Sequence, residues 1–362
     1  MITAIVMVGE PQAECELVSW VHGARRAAAA DLLEQLRPLR QISQMILVTP
    51  DPAGLPTNGV NHIIRTSPGP IHIGETLLRI VEAFPASHLL YFGGGSAPLL
   101  SAEALTTIEG QLVNASRLVI TNNHFASDWI GLTPGDAFTN FVARLPRDNM
   151  FGWVLSTEAR LPIQTLPVTA ETRLDIDTPT DLLALKLHPQ TKPHLRRYLS
   201  SLPLDTTRLA TALHWLGRPA GRIFISGRLG PQVWLALNQV SQCWLRVVSE
   251  ERGMVSSGRE SRGEARSLLA AHIATVGLDT FFSTLAEWAD AAFIDTRVLL
   301  AHHRLKLPAA DRFASDLGRV EDIHNQWLRD FTAAALACPI PVVLGGHGLL
   351  AGDMLAMAEM LG

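Results

Sequence analysis

The sequence has few cysteines, and they lie far apart. Cys15, Cys243 and Cys338 are the only three in the 362-residue chain. None takes part in a CxxC or a Cys/His spacing, so the pattern excludes a disulfide framework and a cysteine-based zinc site. We therefore expect a reducing, cytoplasmic setting.

Long apolar runs and an excess of one charge are also missing. No stretch reaches the roughly 18 apolar residues of a membrane span, and the apolar start MITAIVMVGEPQ lacks a basic leader, so we expect a first strand there rather than a signal peptide. The net charge of −4 gives no electrostatic footprint for nucleic acid or for an anionic membrane. The expected partner is a small anionic ligand, with neither nucleic acid nor membrane as a partner, and with a homodimer left open.

Strand-like and helix-like segments alternate from one end of the chain to the other. With 47% hydrophobic residues, this predicts an α/β fold: an open, mostly parallel sheet with flanking helices, followed by a second, smaller α/β domain. The stretch HPQTKPHLRRYLSSLPLD shifts to prolines and basic residues. We predict a first domain over residues 1–190, a linker over 191–205 and a second domain over 206–362.

A cluster of glycines interrupts the stretch LLYFGGGSAPLLSAEAL, residues 89–105. It follows a predicted strand and precedes a helix predicted to begin at Ser101, where backbone N–H groups can face an anion. The candidate ligand-binding residues are Gly93, Gly94, Gly95 and Ser96; a tight turn is the alternative. Three polar residues after another predicted strand either line the same cleft or form turns: Asn122, Asn123 and Asp128.

Three stretches of the first half resemble the nucleotide-diphospho-sugar transferase fold, and the molybdenum-cofactor and phospholactate guanylyltransferases within it. They are AIVMVGEPQ, LLYFGGGSAPLLSAEAL and LDIDTPTDLLALKL. The resemblance implies a nucleotide bound over the carboxyl ends of the strands and an acceptor attacking the α-phosphate. It also implies Mg²⁺ to stabilise the developing charge, with Asp175 and Asp177 as catalytic or metal-binding carboxylates. For Asp177 a helix-capping role is the alternative.

Two features depart from that family's pattern. The first loop, GEPQAECELVSW, has no second glycine and is followed by no basic residue before His22. Gly95, Ser96 and Ala97 stand where the family carries a metal-binding aspartate. We therefore expect a nucleotidyltransferase-like or sugar/phosphate-transferring protein that binds a nucleotide or another small anion, with a degenerate phosphate loop and metal acid. The alternatives are a non-catalytic ligand-binding or regulatory protein, and an enzyme whose chemistry is in the second domain.

In the second half the candidates follow from position. Ligands of open α/β sheets bind beyond the carboxyl ends of the strands, and here each predicted strand ends in polar or glycine-rich sequence. SGRLGP, residues 226–231, supplies the candidates Ser226, Gly227, Arg228 and Gly230. Gly230 suits a helix N-cap and Pro231 the first helical position; an ordinary turn is the alternative.

The segment SEERGMVSSGRESRGEAR, residues 249–266, mixes arginines with glutamates. Arginine suits a bidentate grip on phosphate or carboxylate, and a solvated loop of paired charges is the alternative. The candidate ligand-binding residues here are Glu250, Arg252, Arg259 and Arg262.

Histidines and an aspartate supply the acid–base candidates of this half. Asp295, His302 and His347 are candidate catalytic residues, because imidazole titrates near neutrality. We predict Asp295 and Arg297, a further ligand-binding candidate, on one face of a strand. A metal set of Asp295, His302, Asp316 and His347 is an alternative that the spacing does not specify.

Overall fold

The computed structural model describes residues 1–9, 15–67, 69 and 71–362. The chain forms two compact units. One comprises Met1–Ala13, His22–Ile176 and Thr191–Tyr198, and the other comprises Glu14–Val21, Asp177–Gln190 and Leu199–Gly362. The bounds differ from the predicted domains, because residues 177–190 group with the second unit and residues 191–198 with the first.

The first unit is built on a seven-stranded sheet in the order β3-β2-β1-β4-β6-β5-β7. β6 runs antiparallel to its neighbours β4 and β5, and the other pairs are parallel. This confirms the predicted open, mostly parallel sheet. The strands are β1 (Ile2–Met7), β2 (Ile42–Val48), β3 (His62–Ile64), β4 (His88–Gly93), β5 (Leu118–Thr121), β6 (Trp129–Thr133) and β7 (Ile163–Thr165).

Helices cover both faces of this sheet. Alternate side chains of β1 enter different cores: Ala4 and Val6 pack on one face, while Ile5 and Met7 pack on the other. This period of two is the geometry of a strand buried on both sides. The first helices along the chain are α1 (Glu16–Leu36), α2 (Ile73–Ala83), α3 (Ala102–Asn114), α4 (Phe151–Thr157) and α5 (Ala170–Arg173).

The second unit contains a smaller, fully parallel sheet in the order β11-β10-β8-β9. Its strands are β8 (Arg222–Gly227), β9 (Trp244–Ser249), β10 (Ala291–Asp295) and β11 (Val342–Gly345). The remaining helices are α6 (Pro179–Leu187), α7 (Pro193–Ser201), α8 (Thr207–Gly217), α9 (Pro231–Val240), α10 (Leu268–Val276), α11 (Leu278–Trp288), α12 (Thr296–His302), α13 (Ala309–Asp316), α14 (Gln326–Ala337) and α15 (Gly352–Glu359). The predicted second, smaller α/β fold is confirmed.

The strand order of the second sheet creates a switch point. From β8 the chain goes to β9 at one edge, whereas from β10 it goes to β11 at the other edge. The connections therefore diverge from the two central strands, and a crevice is expected beyond their carboxyl ends. The residues that follow β8 and β10 are the ones that this topology places at a ligand site.

One predicted strand is shorter than expected. β10 ends at Asp295, and its side chain accepts a hydrogen bond from Arg297 N as the N-cap of α12. The prediction that Asp295 and Arg297 share one face of a strand is therefore wrong. Aspartate favours the N-cap because its carboxylate satisfies a free backbone N–H group.

Within the described residues no single helix has both the length and the apolar composition needed to cross a membrane. Two consecutive helices, Leu268–Val276 and Leu278–Trp288, reach that length and composition together, but they are bent by 116°.

Candidate functional site

The turn after β8 is shaped around Gly227. Gly227 has φ +129°, a backbone conformation that residues other than glycine rarely adopt. A Cβ added at this position would collide with Cβ of Asp295. Glu250 N donates to Gly227 O at 3.0 Å, so the segment after β9 is tied to the same turn. Gly227 therefore allows the ends of β8 and β10 to approach closely.

Arg228 and Asp295 bridge the switch point. Arg228 Nε donates to Asp295 Oδ2 at 2.6 Å and Nη2 donates to Oδ1 at 3.1 Å. The arginine is 9% exposed and the aspartate 1%. Burial by itself would raise the pKa of Asp295, but Arg228, His347 and Arg297 together hold that pKa below its ordinary value. Asp295 is therefore a carboxylate that fixes Arg228 at the mouth of the crevice.

The turn after β11 is anchored on both sides. Thr180 Oγ1 donates to Leu344 O at 3.1 Å, and Thr296 Oγ1 donates to Gly345 O at 3.2 Å. These hydroxyls come from the first turns of α6 and α12, so two helices fix the backbone that carries His347.

His347 is exposed to solvent although protein atoms surround it closely. Desolvation and then the Arg228 guanidinium lower its pKa, while Asp295 and Asp177 act in the opposite direction and Arg252 adds to the lowering. An imidazole with a lowered pKa is neutral at physiological pH and can accept a proton. The structure thus brings the predicted residues Arg228, Asp295 and His347 into one group.

Arg297 has a separate partner. Its Nη1 and Nη2 donate to Asp316 Oδ1 and Oδ2 at 2.8 and 2.6 Å, and Nη1 also donates to Thr296 Oγ1 at 2.7 Å. Both members of the pair are buried. These bonds stabilise the start of α12. The remaining link between Arg297 and the predicted ligand site is its electrostatic effect on Asp295.

The segment after β9 separates its charged residues into two groups. Glu250 caps α10, because its oxygens accept from Ser267 Oγ at 2.7 Å and from Leu268 N at 2.8 Å. Arg259 pairs with Glu251 at 2.9 Å and Arg262 with Glu264 at 2.8 Å. For Arg259 and Arg262 this favours the alternative of a loop of paired charges.

Arg252 differs from the other arginines of this segment. Its guanidinium lies beside Gly230, since a Cβ built on that glycine would be 3.6 Å from Arg252 Nη2, and it acts on the pKa of His347. Gly230 is the N-cap of α9 with Pro231 at the first helical position, as predicted. Arg252, Arg228 and the start of α9 therefore bring positive charge to one place.

The remaining candidates of this unit have structural partners. Ser226 is a buried residue of β8. His302 Nδ1 accepts from Ser267 N at 3.0 Å, next to the cap of α10. The alternative metal set of Asp295, His302, Asp316 and His347 does not form, because no group of three or more His, Cys, Asp or Glu side chains among the described residues could hold a metal ion.

In the first unit the glycine cluster forms a covered turn. Gly95 and Ser96 are buried, and Ser96 Oγ donates to Gly93 O at 2.7 Å. Ile176 N donates to Gly95 O at 3.1 Å, and Ser96 forms an isolated bridge with Asp175. Gly94 follows Gly93 at the end of β4 and is half-buried. These contacts favour the tight-turn alternative for Gly95 and Ser96.

The hydroxyl of Tyr91 on β4 binds one carboxylate, and two more act on it electrostatically. Tyr91 Oη donates to Asp148 Oδ2 at 3.2 Å. Burial first, and then Asp148, Asp175 and Asp128, raise its pKa well above the ordinary value. Asn122, 1% exposed, binds Asp128 through Nδ2–Oδ2 at 2.5 Å. The structure thus brings the predicted Asp175, Asp128 and Asn122 to one end of the sheet.

Asn123 and Asp177 occupy turns. Asn123 Oδ1 accepts from Phe125 N at 3.2 Å, as a turn former does. Thr178, not Asp177, is the N-cap of α6, and it forms a capping box with Asp181. The capping alternative for Asp177 is therefore wrong, and its side chain is exposed.

The Mg²⁺ implied by the family resemblance does not fit the described residues. Asp175 belongs to the first unit and Asp177 to the second, and no set of three carboxylate or histidine ligands comes together in the described parts of the chain. Residues 10–14 of the predicted degenerate phosphate loop lie outside the described residues.

No family model and no curated protein matches the chain. Solved structures resemble about half of it. A protein from Desulfovibrio desulfuricans G20 described as a nucleotide-diphospho-sugar transferase is 18% identical, with 54% of this chain and 96% of that chain covered and a TM-score of 0.37. A cytidylyltransferase from Leptospira borgpetersenii serovar Hardjo-bovis is 14% identical, with 56% and 98% covered and a TM-score of 0.36.

A third solved structure, CMP:2-keto-3-deoxy-manno-octonic acid synthetase in complex with CTP, is 11% identical, with 46% of this chain and 89% of that chain covered and a TM-score of 0.31. The names of the first two proteins belong to the nucleotidyl- and sugar-nucleotide-transferase class that the motifs of the first half resemble. At these TM-scores the likeness says nothing about substrate or activity, and the fold class stands on the two sheets described above.

Sequence reasoning missed three polar residues. Tyr91 lies inside the quoted stretch LLYFGGG as the single hydroxyl of an apolar strand, which was the available signal. Asp353 ends the glycine-rich stretch GGHGLLAGD, where an aspartate in an apolar context was equally visible. Asp148 gave no signal, because its relation to Tyr91 exists only in the folded chain.

Proposed function

We propose that the second unit binds a small anion with a phosphate or carboxylate group at the switch point of its parallel sheet. The observation that supports this most directly is the buried Arg228–Asp295 pair beside the exposed His347. Asp295 orients Arg228 through Nε and Nη2, which leaves Nη1 without a hydrogen bond among the described residues. Arg252 supplies a second, exposed cation near the same histidine.

The chemistry of this group suits proton transfer on a bound anion. Two guanidinium groups neutralise the ligand's charge, since charge-assisted hydrogen bonds from arginine are strong and directional. A neutral His347 takes a proton from a hydroxyl or acid group of the ligand. Both steps use this chain's own residues and need no metal ligand.

Binding of inorganic phosphate by the intact protein tests this proposal. A ligand that binds the folded state raises the melting temperature with concentration. Arg252→Ala removes an exposed cation of the site, and we expect it to weaken phosphate binding about tenfold. Arg262→Ala removes the same charge from the same segment at a residue paired with Glu264, and it serves as the matched control with wild-type affinity.

Two results would count against the proposal. One is a melting temperature that does not respond to phosphate. The other is an Arg252→Ala variant that binds as tightly as the Arg262→Ala control.

A second candidate function is nucleotide binding by the first unit. It is supported by the convergence of Asp128, Asp148 and Asp175 on Tyr91 at the end of β4. We expect CTP or GTP to raise the melting temperature if the first unit binds a nucleotide. If neither nucleotide changed the melting temperature, with or without Mg²⁺, nucleotide binding by the first unit would be refuted.

A further inference from the structure

Two buried carboxyl groups of the second unit lie against each other. Asp181 is in the first turn of α6 and Asp353 in the first turn of α15, and neither is more than 1% exposed. Helices α6 and α15 pack against each other, and the two carboxyl groups act on each other electrostatically. No cation pairs with either residue among the described ion pairs, which is unusual for two buried acids.

Most oxygens of the two carboxyl groups are buried without a hydrogen-bond donor. Asp181 Oδ2 accepts from the backbone N–H groups of Asp177 and Thr178 at 2.7 and 2.6 Å. Asp181 Oδ1 and both oxygens of Asp353 are buried, and no donor from the described residues reaches them. A carboxylate oxygen only accepts hydrogen bonds. A proton on one of the two groups would supply the missing donor, and the position left for it on Asp181 is Oδ1.

The pair touches the turn that carries His347. Gly348 follows His347 directly, and an added Cβ at Gly348 would collide with Asp181 Oδ1. A change of charge on Asp181 would therefore occur next to the backbone of the proposed anion site.

We propose that Asp181 and Asp353 form a proton-sharing pair that regulates the anion site at His347, so that loss of a proton from the pair weakens anion binding. This inference rests on the proposed function of that site. The mechanism is electrostatic and positional: the departing proton leaves a buried negative charge next to the His347–Gly348 turn, where it repels an anion and pushes on the turn.

The surroundings of the pair oppose this extra negative charge. Asp177 faces it from the segment before α6, and Asp316 faces it from α13. Arg297 on α12 is a cation that acts on Asp181, and it is already paired with Asp316. α9, which packs against α15, carries no charged residue.

With these neighbours, the pair loses a proton near neutral pH. Burial raises the pKa of Asp353 to about 7, against the lowering effect of Asp181. Burial and the neighbouring Asp353 raise the pKa of Asp181 well above its ordinary value. The pair therefore loses its first proton near neutrality, within the physiological range.

The first part of the test needs no ligand. The folded chain keeps a proton that the unfolded chain releases above about pH 4, so the pair's contribution to stability falls as the pH rises from about 4 to about 7. Above about pH 7, where the pair has lost its first proton, the fall is less steep, but it continues because the pKa of Asp181 is raised well above its ordinary value. The melting temperature of wild type should fall over this window relative to Asp353→Asn, whose amide keeps the contact without titrating. Asp181→Asn should also flatten the profile. Glu287→Gln, at an exposed acid of α11, should follow wild type.

The second part uses sulfate, whose charge is constant over this range. Wild type should bind sulfate about tenfold more weakly at pH 8 than at pH 6, and Asp353→Asn should lose the part of this change that lies above pH 7.

A wild-type stability profile in Asp353→Asn and Asp181→Asn would overturn the proton-sharing pair. Flattened stability profiles with an unchanged pH dependence of sulfate binding would overturn its control of the site. Absence of sulfate and phosphate binding at every pH would instead refute the proposed function, and with it the regulation.

Discussion

Arg228 and Asp295 repeat, at one end of the central strands, a contact that Arg222 and Asp290 make at the other end. In both pairs arginine Nε donates to Oδ2 and Nη2 donates to Oδ1 of the aspartate. Arg222 begins β8 and Arg228 follows it, while Asp290 precedes β10 and Asp295 ends it. The two pairs differ in burial, since the side chain of Arg222 is 34% exposed and that of Arg228 is 9% exposed. The same geometry is thus used once at the surface and once inside the crevice.

This relationship predicts unequal costs for the same substitution. Arg228→Ala leaves the carboxylate of Asp295 buried without its main partner, and we expect the free energy of unfolding to fall by about 3–5 kcal/mol. Arg222→Ala leaves Asp290 with access to water, so its loss should be much smaller. Urea unfolding of both variants measures the difference. Equal losses would show that Arg228 is as well solvated as Arg222.

Gly227→Ala should be more damaging than an alanine at another glycine with positive φ. Gly277 has φ +82° and open space around the position of a Cβ, so Gly277→Ala isolates the backbone cost of about 1–3 kcal/mol. Gly227→Ala adds a collision with Asp295, and overpacking of this kind costs about 1–3 kcal/mol more. Urea unfolding compares the two variants. A Gly227→Ala variant no less stable than Gly277→Ala would mean that β8 and β10 separate easily at this end.

Local patterns predicted most of the fold because each depends on neighbours in sequence. The alternation of Ala4 and Val6 with Ile5 and Met7 marks a strand buried on both faces, and Gly230–Pro231 marks the start of a helix. The end of β10 was misplaced because Asp295 belongs to an apolar run on one side and caps a helix on the other. Both assignments fit the sequence, and the hydrogen bond to Arg297 N decides between them.

The site was predictable in its residue types but not in its pairings. Arg228, Asp295 and His347 were all found from their positions after predicted strands. Their grouping depends on the strand order, and Arg228 meets a partner 67 residues further along the chain. Arg259 and Arg252 have similar sequence surroundings. The fold of the segment after β9 pairs Arg259 with Glu251, and the sequence does not predict this. Long-range contact, not residue type, separates a binding arginine from a structural one.

His347 should make anion binding stronger in acid. Desolvation and Arg228 lower its pKa, so it becomes a cation only when the pH falls below its ordinary value of about 6.5. A protonated imidazole adds a positive charge to the site, and sulfate affinity should then rise about tenfold. His347→Gln should remove this rise while it keeps a hydrogen-bonding side chain. Calorimetric titration with sulfate across the acid range measures it, and a rise that persists in His347→Gln would assign the effect to another group.

The same histidine should make the ligand-free protein less stable in acid. Because the folded state resists protonation of His347, the unfolded chain takes up its proton first, and the free energy of unfolding falls as the pH drops below about 6.5. His347→Gln should reduce this decline, whereas His272→Gln, at an exposed histidine of α10, should leave it unchanged. Chemical denaturation at a series of pH values measures the slopes. Identical slopes for wild type and His347→Gln would contradict a lowered pKa at this position.

Phosphate binding to the second unit should not depend on divalent metal ions. In the proposed site Arg228, Arg252 and His347 bind the anion directly, and the described residues provide no set of three side chains to hold a metal. Calorimetric titration with phosphate in EDTA and in Mg²⁺ should therefore give the same affinity within about twofold. If EDTA abolished phosphate binding, the anion would have to reach the protein through a metal, and the assignment of Arg228 and Arg252 as its direct partners would fail.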